Sequence, residues 1–149
     1  AWESGAIRDG MLYITLSGEP PGTIYAVSAQ DGTLLWQAQV DNNSNHVVAV
    51  DDGLVFAMGG VLAAVRTTDG TVQWHYPPNA TATHYGLDLT PALGAGAVYL
   101  AQAGSVETCH PDQSQASTLT ALGERDGSVR WRYTIPAPPP QFSIPTPTP

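Results

Sequence analysis

Ile24–Trp36 reads IYAVSAQDGTLLW, and the phrase returns twice: Leu62–Trp74 is LAAVRTTDGTVQW and Leu119–Trp131 is LTALGERDGSVRW. The three align without a gap. Alanine falls at 26, 64 and 121, Asp-Gly at 31–32, 69–70 and 126–127, Thr or Ser follows, and tryptophan closes each copy. Self-similarity of this kind marks a repeat architecture, in which each unit buries its apolar face only by stacking on its neighbours.

The repeated phrase reads as a β-hairpin. Asp-Gly between alternating apolar residues is a strong hairpin signal, because a two-residue primed turn needs positive φ at its centre. Asp31-Gly32, Asp69-Gly70 and Asp126-Gly127 are expected to fill that turn. Beyond it, Leu34, Trp36, Ala38 and Val40 are expected to share one face. Val72, Trp74 and Tyr76 would do the same, as would Val129, Trp131 and Tyr133. Gln37, Gln39, Gln73, His75, Arg130 and Arg132 fall on the other side, the pattern of a half-buried strand.

A second piece precedes each hairpin. Gly10-Met11-Leu12-Tyr13-Ile14, Gly53-Leu54-Val55-Phe56-Ala57 and Gly96-Ala97-Val98-Tyr99-Leu100 each open on glycine and run apolar. Near-continuous hydrophobicity predicts inner strands covered on both faces. Shorter runs stand ahead of those glycines at Ala6-Ile7, Val47–Val50 and Leu89–Leu93. The expected fold is therefore all-β, with three four-stranded antiparallel sheets arranged as β-propeller blades. The blades are placed at about residues 1–41, 42–78 and 79–135. The link between second and third strands varies most, swelling in the third repeat to Gly104–Ser117, and such insertions cluster on the binding face of repeat arrays. Residues 136–149, rich in Pro and Thr, are expected to form an extended tail or linker without a fold of its own.

The hairpin resembles the pyrroloquinoline-quinone-type propeller repeat, the tryptophan-docked blade of quinoprotein dehydrogenases and of many non-enzymatic relatives. That family's phrase, roughly Leu-Tyr-Ala-Leu-Asp-Ala-x-Thr-Gly-x-Leu-Leu-Trp, stands in register with Ile24–Trp36 and with both other copies. The resemblance implies that Trp36, Trp74 and Trp131 dock one blade on the next, each indole burying about 150–250 Å². It also implies a ring of about six to eight blades, and a closed ring needs at least about four. Three blades cannot close, so the segment is expected to belong to a larger propeller or to one completed by another chain. The quinone site does not carry over. Those enzymes hold the quinone on the ring axis with a metal ion and often with adjacent cysteines, whereas Cys109 is the single cysteine here.

Composition narrows the partners. Thirteen acidic residues face five arginines and no lysine, for a net charge of −8. Such a surface repels phosphate backbones and anionic lipid, so nucleic acid is excluded as a partner. No apolar run reaches the length of a membrane-spanning helix. Ala1 fits either a processed export signal or a trimmed start. With Asn-x-Ser/Thr sequons at Asn42 and Asn79, it supports an extracellular, cell-surface or periplasmic location.

Candidate chemistry is sparse. Glu107, Cys109, His110 and Asp112 offer metal-ligand types close together, but their spacing matches no structural zinc motif, and a solvated loop is the simpler reading. Asp51-Asp52-Gly53 lacks the later oxygen ligands of a calcium loop and reads as a tight turn. His46, His75 and His84 are scattered, and no nucleophile elbow accompanies them. Arg130 and Arg132 read as an exposed cationic stripe. Phe142, among prolines, suits an arm that docks on another subunit. No catalytic residue and no cofactor is assigned. The expected function is a scaffold or protein-interaction surface whose partners are other copies of itself or missing blades of a longer chain. The alternatives are a structural subunit of a ring or fibre and a fragment of a quinoprotein dehydrogenase.

Overall fold

The structure is a computed structural model and describes residues 2–16, 22–41, 46–78, 91–102 and 117–136. Sheet 1 is formed by β1 (Trp2–Arg8), β2 (Met11–Leu16), β3 (Gly22–Ser28) and β4 (Leu34–Asp41). Sheet 2 holds β5 (His46–Asp51), β6 (Leu54–Met58), β7 (Leu62–Arg66) and β8 (Val72–Tyr76). Sheet 3 holds β9 (Ala92–Gly94), β10 (Ala97–Gln102), β11 (Ser117–Gly123) and β12 (Val129–Ile135). In each, the strands lie side by side in chain order and every neighbouring pair is antiparallel. This is the all-β, three-blade architecture expected from the repeats. Among the described residues no helix is long and apolar enough to cross a membrane.

The cores lie between sheets. Tyr13, Ile24 and Ala26 of sheet 1 meet Val55, Ala57 and Val65 of sheet 2 in one buried cluster. On its other side sheet 2 sends Phe56, Leu62 and Trp74 against Val98, Leu100 and Leu122 of sheet 3. Among the described residues only the middle sheet is covered on both faces. All five residues of β6 are buried, whereas β2 and β10, its counterparts at the two ends, are only partly so. Continuous hydrophobicity predicts burial on both sides, and the end blades lack the neighbour that would supply it.

The tight turn expected at Asp51-Asp52-Gly53 is present, and the primed turns expected at the repeated Asp-Gly pairs lie elsewhere. Positive φ at two successive residues occurs at Asp9-Gly10, Asp52-Gly53 and Ala95-Gly96, the two-residue turns between first and second strands. The Asp-Gly pairs of the repeated hairpin lie instead in five-residue loops. There only glycine is left-handed, at φ +76° for Gly32, +75° for Gly70 and +66° for Gly127. The reason is local. Asp31 Oδ1 accepts the Thr33 N–H at 3.0 Å, Asp69 Oδ1 the Thr71 N–H at 2.9 Å, and Asp126 Oδ1 the Ser128 N–H at 3.0 Å. That side-chain turn holds aspartate in an ordinary conformation and leaves the reversal to glycine.

A bulge also corrects the facing of the outer strands. Ala26 pairs with Trp36 but Val27 with Leu34, and the same shift separates Trp74 from Val72 and Trp131 from Val129. The extra residue turns Leu34, Val72 and Val129 to the face opposite their tryptophans. Accordingly Val72 packs toward sheet 1 while Trp74 packs toward sheet 3.

Candidate interaction surface

Each inter-sheet joint is built on an indole. Trp36 leaves β4 and donates its Nε1–H to the Thr67 carbonyl of sheet 2 at 2.8 Å. Trp74 leaves β8 and donates to the Glu124 carbonyl of sheet 3 at 2.9 Å. The rings lie over the left-handed glycines of the receiving loop. A Cβ built on Gly70 would stand 2.7 Å from Trp36 Cε3, and one on Gly127 would stand 2.7 Å from Trp74 Cδ2 and Cε3. Glycine is needed at these positions twice over, for its backbone and for its missing side chain.

The receiving carbonyl is held from behind. Ala29, Thr67 and Glu124 each stand three residues before their loop glycine. Each donates its N–H to the glycine carbonyl opening the second strand of its own blade: Gly10 at 2.9 Å, Gly53 at 2.9 Å and Gly96 at 3.1 Å. The donating side is also braced. Trp36 lies against Tyr13 with ring centroids 5.8 Å apart, Trp74 against Phe56 at 6.0 Å, and Trp131 against Tyr99 at 6.0 Å. Both recurring sequence pieces thus belong to one joint.

Polar contacts finish it. Arg125 Nε meets Asp52 Oδ2 at 2.7 Å and Arg8 Nη1 meets Asp51 Oδ1 at 3.6 Å, exposed pairs that set register more than they stabilise. Arg132, read from sequence as part of an exposed cationic stripe, is exposed and donates to the Tyr76 hydroxyl at 2.7 Å. Its strand faces sheet 2 at that position. Arg130 extends over Gly96 of its own blade.

Glu124 is the buried acid of this surface, only 4% exposed, with Oε1 lacking a hydrogen-bond partner. Burial, then the charges of Asp51 and Asp52, raise its pKa above the ordinary carboxylate value, while Arg125 and Arg130 pull it back. An acid bound more tightly by protons in the folded state loses stability as pH rises from its unfolded pKa, about 4.3, through the raised folded one. Glu124→Gln is therefore expected to stabilise the protein at pH 7, with a gain that shrinks toward pH 4. Urea denaturation of both proteins across that range measures it, and a variant less stable than the parent at pH 7 contradicts it. Asp31, Asp69 and Asp126 act oppositely. Their hydrogen bonds lower their pKa values, so their contribution is present above about pH 4 and lost as pH falls through the depressed values.

The other sequence candidates do not converge. His46 and His75 are exposed, and His75 Nδ1 lies 3.3 Å from the Pro77 carbonyl. His75 does line a shallow open cleft of about 740 Å³ beside the Trp74–Gly127 joint, with Val72, Pro78 and Asp126. Among the described residues no group of three or more His, Cys, Asp or Glu could hold a metal ion. Asn42, Asn79, His84, Glu107, Cys109, His110, Asp112 and Phe142 lie outside the described residues. The receiving positions Thr67 and Glu124 escape sequence reading because their main chain makes the contact, so two unrelated side chains serve equally.

The sheets have counterparts among known proteins. A family model described as outer membrane protein assembly factor BamB matches residues 2–144. The chain belongs to this family. The BamB of Yersinia pestis is 28% identical over 115 residues, which is 75% of this chain and 29% of that protein. The BamB structure from Moraxella catarrhalis superposes with a TM-score of 0.57 at 17% identity, covering 88% of this chain and 37% of that one. A quinohemoprotein alcohol dehydrogenase from Pseudomonas putida HK5 superposes with a TM-score of 0.62 at 24% identity, covering 89% of this chain and 20% of the enzyme. The BamB-family chain described here thus spans between 20% and 37% of the length of these two BamB proteins and of the enzyme, and it shares with the enzyme a pyrroloquinoline-quinone-type propeller fold.

Proposed function

We propose that the chain is a non-catalytic propeller segment that works by protein contact within an outer-membrane assembly machinery of the cell envelope. The observation that carries this reading is the match of residues 2–144 to the assembly-factor family. The surface supports it. Exposed large apolar residues gather on the two end sheets, as contact surfaces do, whereas the middle sheet has none among the described residues. The likeness to the dehydrogenase is one of fold, and fold alone assigns no chemistry.

Removing the protein from the cells that make it is expected to lower the amount of folded protein in their outer membrane, and the parent chain should restore it. Unchanged levels would overturn the reading. A parallel arm adds pyrroloquinoline quinone and calcium to the purified protein and follows absorbance and dye reduction. No shift and no turnover are expected. Dye reduction would move the chain to the dehydrogenases.

A further inference from the structure

The two inter-sheet joints share their main-chain fittings and differ at one side chain. Between sheets 1 and 2 the receiving residue is Thr67. Its Oγ1–H donates to the Gly53 carbonyl at 3.1 Å, the same oxygen that takes its N–H. Between sheets 2 and 3 the receiving residue is Glu124. It too gives its N–H to a glycine carbonyl, that of Gly96, and it too takes an indole N–H on its own carbonyl. Its side chain, however, is the one carboxyl group buried among the described residues, and Oε1 has no partner. A carboxylate only accepts hydrogen bonds, whereas a carboxylic acid has an O–H to give. Ionised, Glu124 is a poorly paired charge in the seam. Protonated, it is neutral and carries a donor of the kind Thr67 uses.

The surrounding charges do not relieve it. Asp51 and Asp52, at the β5–β6 turn of sheet 2, add negative charge, and with burial they outweigh the pull of Arg125 and Arg130. Arg125 is engaged by Asp52 at 2.7 Å, Arg8 lies 3.6 Å from Asp51, and Arg130 extends over Gly96. We infer that the joint between sheets 2 and 3 is a proton-operated latch, closed while Glu124 holds its proton and opening more often once it ionises. The joint between sheets 1 and 2, built on threonine, does not respond. Opening brings water to the carboxylate and releases Trp74 from the Glu124 carbonyl, a local event that leaves each sheet folded. Protons bind the closed joint more tightly than the open one, so closure is favoured at low pH and weakens as pH rises through the raised value. The latch does not depend on the outer-membrane role proposed above, and failure of either leaves the other standing.

Hydrogen exchange of the Trp74 and Trp36 indole N–H groups, followed by nuclear magnetic resonance of the intact protein from about pH 4 to about pH 7, tests it. The chemistry of exchange varies with pH alike for both indoles, so the ratio of their protections reports the joints alone. Protection of Trp74 relative to Trp36 should fall severalfold as pH rises. Glu124→Gln should hold the ratio flat at its low-pH value. Asp52→Asn removes a negative charge and frees Arg125, so it should move the fall to lower pH. A ratio that stays flat or rises in the parent overturns the inference. So does a fall that survives Glu124→Gln, which would make exposed His75, beside the joint, the sensor. A fall that Asp52→Asn leaves in place or moves to higher pH overturns it as well.

Discussion

Trp74→Ala is expected to destabilise the protein by about 3–5 kcal/mol, the range for a buried aromatic cut to alanine. The residue leaves several things unsatisfied at once. Its ring fills the joint between sheets 2 and 3, lying on Gly127 and against Phe56. Its Nε1–H satisfies the Glu124 carbonyl. Because sheet 2 is packed on both faces, opening its second face exposes Phe56, Leu62 and Leu122 together. Urea or thermal denaturation followed by tyrosine and residual tryptophan fluorescence measures the loss. Trp131→Ala serves as the comparison, since its indole already stands partly in water and should cost the protein much less. Equal losses at the two positions would mean that the indoles act within their own blades and not between them.

Gly127→Val should be nearly as damaging, for a different reason. A side chain at φ +66° costs about 1–2 kcal/mol in backbone strain, and more for a β-branched residue. The new Cβ would also stand 2.7 Å from the Trp74 ring, adding the about 1–3 kcal/mol typical of overpacking. Gly32→Val separates the two terms. Its φ of +76° carries the same strain, but nothing in the described chain meets its Cβ. Denaturation midpoints should therefore place Gly32→Val between the parent and Gly127→Val. If the two variants are equally unstable, the glycines are required by the turn alone.

The tryptophans, the Asp-Gly pairs and the apolar strands opening on glycine are enough to give three four-stranded sheets in chain order, because each rests on a local rule. Alternation is legible residue by residue. Bulges are not. Leu34, Val72 and Val129 read as companions of their tryptophans, and one extra residue in the outer strand turns them to the opposite side. Turn type escaped for a related reason. Asp-Gly is compatible with a primed turn, and only the aspartate's hydrogen bond two residues on selects the longer loop. The inner-strand reading holds fully for β6 and less for β2 and β10, since burial on both faces depends on neighbours that a single repeat cannot specify. The partner of Arg132 was equally hidden. Its hydroxyl acceptor, Tyr76, lies in a different repeat.

Threonine and glutamate occupy the two positions whose main-chain oxygen accepts an indole N–H, and alanine stands at the equivalent place in the first loop. A lock read through peptide oxygen and bare glycine places almost no demand on side-chain identity there. Side chains as different as a methyl group and a buried carboxylate stand at these sites, while the hydrogen bond to Trp74 is made by the Glu124 main chain. Units joined in this way are interchangeable parts, and a duplicated middle repeat would meet its neighbours with the fittings already in place.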